Sequence, residues 1–127
     1  MNPRFDHEKL AVYGAALEFV AAATEVLERI PKSSAVHNQL DRASTAIPLN
    51  IAEGSGKWTR ADRCRYYDIA RGSALECAAC LDVLRVKKLL ANDEIAAPKA
   101  ALVQIVSMLV GLIKAISPNR VFEEPAE

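Results

Sequence analysis

Between residues 7 and 117, apolar side chains return every three or four positions in four stretches separated by three sets of breakers. That spacing marks one face of an α-helix, and it argues against strands, whose side chains alternate with period two. In the first stretch, about 7–29, the seam reads Leu10, Tyr13, Leu17, Val20, Thr24 and Leu27. Gly14, Ala15, Ala16 and the run Ala21-Ala22-Ala23 keep the neighbouring surface small, so another backbone can approach it. Ile30-Pro31-Lys32 ends the stretch, because a residue before proline avoids the α region. Ser33 and Ser34 are natural N-caps for the second helix, about 34–54, whose stripe is Val36, Leu40, Ala43, Ile47, Asn50 or Ile51, and Gly54. Gly54-Ser55-Gly56-Lys57-Trp58 reads as a loop, and Thr59 as the cap of a third helix, about 60–90.

That third helix would extend about 45 Å. Its period is Tyr66 or Tyr67, Ile69 and Ala70, Ser73 and Ala74, Cys77, Leu81, Leu84 and Lys88. Asn92 or Asp93 opens the fourth helix, about 93–117, unless Pro98 moves its start to Ala97 or Pro98. Leu102, Ile105, Val106, Leu109, Leu112, Ile113 and Ile116 give it the widest apolar face of the four. Residues 118–127 make an acidic, proline-containing tail that is expected to be mobile.

Four long helices with short connections predict an all-α protein, an antiparallel up-down-up-down four-helix bundle in one domain over residues 1–117. A composition that is 51% hydrophobic but only 6% aromatic suits closely packed helices. The fourth helix is apolar over more of its circumference than two neighbours need, which argues for a homo-oligomer. Formal net charge is 0, so any nucleic-acid contact has to come from a local patch. Charges interrupt the apolar stretches too often for a bilayer span, and Met1–Glu8 is too charged for a signal peptide. Three cysteines without a framework spacing fit a reducing compartment. A cytoplasmic protein with no membrane partner is the expectation.

Pro48, Asn50 and Glu53 break local rules inside the second helix. Proline removes a backbone donor there, and the two polar residues sit among Ile47, Ile51 and Gly54, which point to burial. Antiparallel pairing would bring Arg42, Asn50 and Glu53 toward Arg71, Ser73 and Glu76 on the third helix. Such a set either fixes the register of the two helices or holds a small ligand. Lys57, Trp58, Arg60, Arg63 and Arg65, with Tyr66 and Tyr67, concentrate charge and aromatics near the turn, and Arg85, Lys87 and Lys88 group at the far end of the helix. The first group is a candidate nucleic-acid patch, although Asp62 and Asp68 interrupt it and a solvated helix face has the same composition.

Metal and cofactor chemistry find no support in the motifs. Neither His7 nor His37 follows a glutamate by three residues, as a di-iron bundle requires, and Cys77 and Cys80 lack the second pair of a zinc site. Ser73 and Cys64 have no assigned base, and Gly54-Ser55-Gly56-Lys57 lacks both the spacing and the preceding strand of a phosphate loop. No catalysis is expected.

Three segments carry a family resemblance: Leu10-Ala11-Val12-Tyr13 with Ala16; Gln39–Ala43 leading into Ala46–Gly54; and Ile69–Glu76. With them the chain resembles, from Phe5 to Ile116, the four-helix-bundle proteins encoded in intervening sequences of the large-subunit ribosomal RNA gene. The resemblance implies a pentameric barrel. It also implies kinship with a retroelement accessory protein that partners a reverse transcriptase and nucleic acid, so RNA or a nucleic-acid-processing protein becomes a candidate partner. That relative is basic around its barrel, and this chain at net charge 0 departs from it.

Overall fold

The computed structural model describes residues 4–119; the expected mobile tail lies outside them from residue 120 onward. A short 3₁₀ turn, Asp6–Lys9, precedes four helices: α1 (Ala11–Glu28), α2 (Ala35–Ser55), α3 (Arg60–Val86) and α4 (Asn92–Ile116). No strand occurs among the described residues, and the helices pack as an antiparallel four-helix bundle around one core. Of the neighbouring helix pairs, α2 and α3 make the most extensive contact, and α1 and α4 the least.

α1 turns a different face inward from the one its leucines mark. The buried seam is Val12, Ala16, Phe19, Ala23 and Val26, while Leu17 is 46% exposed and Thr24 is exposed, its Oγ1 donating to the Val20 carbonyl at 2.8 Å. Both seams have helical spacing and lie one residue, or about 100°, apart. Phe19 decides between them, since it is the largest wholly apolar side chain on the helix and Ala16 and Ala23 beside it let the neighbouring helices close around its ring. Leu10, Tyr13, Val20 and Leu27 flank the core half-buried. Leu10 itself is extended (φ −87°, ψ 128°), so α1 begins at Ala11 rather than at residue 7.

In α2 the inward stripe is the expected one, with Ile51 taking the place left open between it and Asn50. Pro48 is also buried, inside the helix rather than on a solvent-facing kink. Nearby carbonyls take side-chain donors. Ser44 Oγ and Thr45 Oγ1 both donate to the Asp41 carbonyl at 3.0 and 2.9 Å, and Asn50 Nδ2 donates to the Ala46 carbonyl at 2.8 Å. The polar residues of this segment are thus spent largely on their own helix, which explains why they tolerate an apolar setting.

α3 starts where expected, with Thr59 Oγ1 accepting from the Asp62 amide at 3.1 Å. Its end comes earlier than periodicity suggests. Lys88 adopts φ 63°, its amide bonds the Arg85 carbonyl, and the Leu89 amide reaches back to the Leu84 carbonyl, both at 2.9 Å. That is a Schellman ending with lysine where glycine is usual, so Lys88 closes the helix instead of extending its stripe. Ile69, expected to point inward with Ala70, is 44% exposed. α4 starts at Asn92, the Ala91 amide being capped by Glu94 Oε1 at 2.9 Å, and Pro98 lies inside the helix rather than at its start.

α4 also corrects the reading of charge interruptions. No charged residue lies between Lys99 and Lys114, and by length and composition this helix could cross a bilayer. In the bundle its Ile95, Leu102, Ile105, Leu109 and Ile113 are buried against the other helices.

Candidate interaction surfaces

The close α2–α3 approach sets the geometry of both polar groups. It depends on Gly54, where a Cβ would lie 2.9 Å from Tyr67 Cε1 and 3.0 Å from Tyr66 Cβ. Tyr67 is buried, and its hydroxyl lies 2.8 Å from Ser55 Oγ, which in turn sits 2.9 Å from the Ile51 carbonyl. With the serine proton on that carbonyl, the tyrosine is the donor to serine. The turn is thereby pinned from both helices.

The six residues read together from sequence separate into two sets. Arg42, Ser73 and Glu76 line one shallow depression of about 370 Å³ on the outer side of the α2–α3 seam, joined by Gln39. Arg42 and Glu76 are exposed there and form no ion pair with each other. Asn50, Glu53 and Arg71 point elsewhere. Asn50 bonds its own helix, Glu53 Oε2 sits 3.6 Å from Lys57 Nζ, and Arg71 Nη1 sits 3.8 Å from Asp68 Oδ1. Gln39 belongs to the family-like segment Gln39–Ala43 but not to the polar group expected from sequence; its place three residues before Arg42, on the same helix face, was the available signal.

Around the turn, much of the basic charge is engaged internally. Arg63 Nε donates to the Lys57 carbonyl at 2.9 Å and its Nη2 to the Trp58 carbonyl at 3.4 Å, so this guanidinium caps the loop. Lys57 and Arg65 both lie over the Tyr66 ring, 4.9 and 5.0 Å from its centroid, in cation–π contact. Arg60 is exposed, and Trp58 projects from the turn at 94% exposure. Behind it, Leu10, Tyr67, Leu112 and Ile116 floor an end cavity of about 500 Å³.

Cys64, Cys77 and Cys80 are free and buried. Burial, followed by neighbouring Cys80 and Glu76, pushes the Cys77 thiol up from 9.0 to about 12, and burial likewise raises Cys80. These thiols are poor nucleophiles near neutrality. The consequence for stability has a definite sign. The unfolded chain releases the Cys77 proton near pH 9 while the native state keeps it, so this contribution is intact below pH 9 and declines as pH rises toward about 12. Unfolding free energy measured by urea titration across that window is expected to fall less steeply in Cys77→Ala than in the wild type. Parallel slopes would mean that Cys77 ionises equally in both states. Among the described residues, no group of three or more His, Cys, Asp and Glu side chains is placed to hold a metal ion.

Residues 8–111 match the 23S rRNA-intervening sequence protein family. Among solved structures, the chain is similar to a protein of unknown function from the S23 ribosomal protein family of Bacteroides thetaiotaomicron. The two share 23% identity and a TM-score of 0.78, over 82% of this chain and 99% of that one. No curated protein matches.

Proposed function

The chain belongs to the 23S rRNA-intervening sequence protein family, and from that premise we propose that it is a non-catalytic scaffold that assembles with copies of itself. The observation that carries this reading is the surface of α4. Only 22% of its most apolar window is buried within the chain, and Val103 stands 67% and Met108 38% exposed. Burying further apolar area of this kind in a subunit contact is favourable at roughly 25 cal/mol per Å² before the costs of association. The pentamer implied by the family resemblance is the expected assembly, and the buried free cysteines suit a reducing cytosol.

A second reading rests on Trp58. A fully presented indole beside the exposed Arg60 is equipped to stack a base while the cation meets a phosphate. RNA, or a protein that processes it, is the partner this end of the bundle would take. The small-molecule reading has less support, because Asn50, Glu53 and Arg71 each turn to a neighbour on their own helix or turn.

Native mass spectrometry of protein purified at low salt without nuclease tests both readings. A bare oligomer is the expected result, and a bare monomer would overturn the scaffold. An oligomer carrying nucleic acid that dissociates as salt rises would establish the second reading, provided that Trp58→Ala and Arg60→Glu release it without changing the oligomer.

A further inference from the structure

On the outer face of α3, Ile69, Gly72, Glu76, Ala79, Val83 and Val86 follow one another at intervals of three and four residues, and all six are exposed. That is the spacing of a coiled-coil seam. Ile69, Val83 and Val86 are 44, 40 and 67% exposed, while Gly72 and Ala79 leave room for a helix to come close. A seam of this kind ordinarily faces another helix, yet within the chain it faces water.

The bundle also carries a groove of the complementary form. Between α1 and α4, the neighbouring helices in least contact, a cleft of about 530 Å³ has Ala15 and Ala22 on one side and Ala97 and Ala101 on the other, with Phe19, Val26 and Met108 also in its lining. Four methyl groups, where larger side chains would fill the space, leave the surface shared by the two helices concave. The chain cannot fill this groove with its own seam, because α3 packs between α2 and α4 and presents the seam outward. Charge supports the match at the end of the seam. Glu18 and Glu25 on the groove have no ion-pair partner among the described residues, and neither has Lys87, one residue beyond Val86. The groove's Arg29 is paired with Glu94, and the seam's own carboxylate, Glu76, lies further back along α3.

We propose that the α3 seam of one chain docks in the α1–α4 groove of a second copy. This deepens the self-assembly reading and rests on it. The two surfaces are different patches of the same molecule, so the contact is heterologous. Each chain offers one seam and one groove, and repetition yields a ring if the rotation closes or a filament if it does not. Val83 and Val86 enter between the alanines, and Lys87 comes to the acidic rim.

Sedimentation velocity on full-length variants tests the contact. Val83→Glu, with Val86→Glu as a second seam variant, places an unpaired carboxylate against the groove. Ala97→Trp, at an exposed position, fills the groove. Each is expected to weaken assembly on the order of a hundredfold or more while leaving the helical circular dichroism signal and cooperative unfolding intact. An equimolar mixture of Val83→Glu and Ala97→Trp chains is expected to form heterodimers and nothing larger. The Ala97→Trp chain still has its seam, the Val83→Glu chain still has its groove, and only one contact remains available to each. Folded variants that keep the wild-type assembly, or a mixture that stays monomeric, would overturn the proposal. A monomeric wild type would instead overturn the self-assembly reading on which it rests.

Discussion

Phe19→Ala is expected to destabilise the protein by about 3–5 kcal/mol, whereas Leu17→Ala, two positions away, is expected to cost under about 1 kcal/mol. Phe19 is 1% exposed at the centre of the buried α1 seam, and Leu17 is 46% exposed. Removing the ring subtracts its burial free energy and leaves a cavity that Ala16 and Ala23 are too small to fill. Urea unfolding of the two variants decides which of the two adjacent α1 seams faces the core. A larger loss in Leu17→Ala than in Phe19→Ala would place the leucine seam inward and contradict the packing described above.

Gly54→Ala is the second large effect, and its sign runs against helix propensity. Alanine in an ordinary helical position is better than glycine by roughly 0.5–1 kcal/mol, and exposed Gly14 and Gly111, with nothing within 4 Å of an added Cβ, should show that gain. At Gly54 the methyl group would meet Tyr67 Cε1 at 2.9 Å and Tyr66 Cβ at 3.0 Å. The second of these is anchored directly to the α3 backbone, so relief requires the helices to separate. That separation would also strain the Ser55–Tyr67 hydrogen bond. A net loss of about 1–3 kcal/mol is expected after the propensity gain is subtracted. Thermal melts showing Gly54→Ala stabilised as much as Gly111→Ala would mean that the α2–α3 approach is looser than the structure has it.

The Pro48–Gly54 segment shows how local rule-breaking can be legible while its purpose is not. Its proline, asparagine and glutamate stand out against an apolar stripe, yet the close approach to α3 is made by Gly54, which belongs to the stripe itself, while Glu53 is exposed beside Lys57. Asn50 satisfies a carbonyl on its own helix. A polar side chain on a buried stripe reads identically whether it closes on its own backbone or reaches across a seam, because the choice depends on rotamer and on what the partner helix presents. Arg42, Ser73 and Glu76 did come together, since antiparallel pairing and helical rise are enough to place them at one level. The basic turn was visible as composition. That Arg63 caps the loop and that Lys57 and Arg65 flank Tyr66, leaving Arg60 and Trp58 presented, depends on the path of the turn through space.

What the sequence determined by itself is the set of four helices, their order and, to within a few residues, most of their limits. Those depend on i, i+3 and i+4 periodicity, caps and breakers, all interactions within one or two turns of chain. The tertiary structure decided which of two neighbouring seams on α1 was buried and that Ile69 joined an outward line with Val83 and Val86. It also decided that alanines of α1 and α4 would line an open groove between the two helices. Burial is a property of pairs of helices, and a helix whose apolar side chains extend around more than one face can be turned by its neighbours without any change in its own backbone.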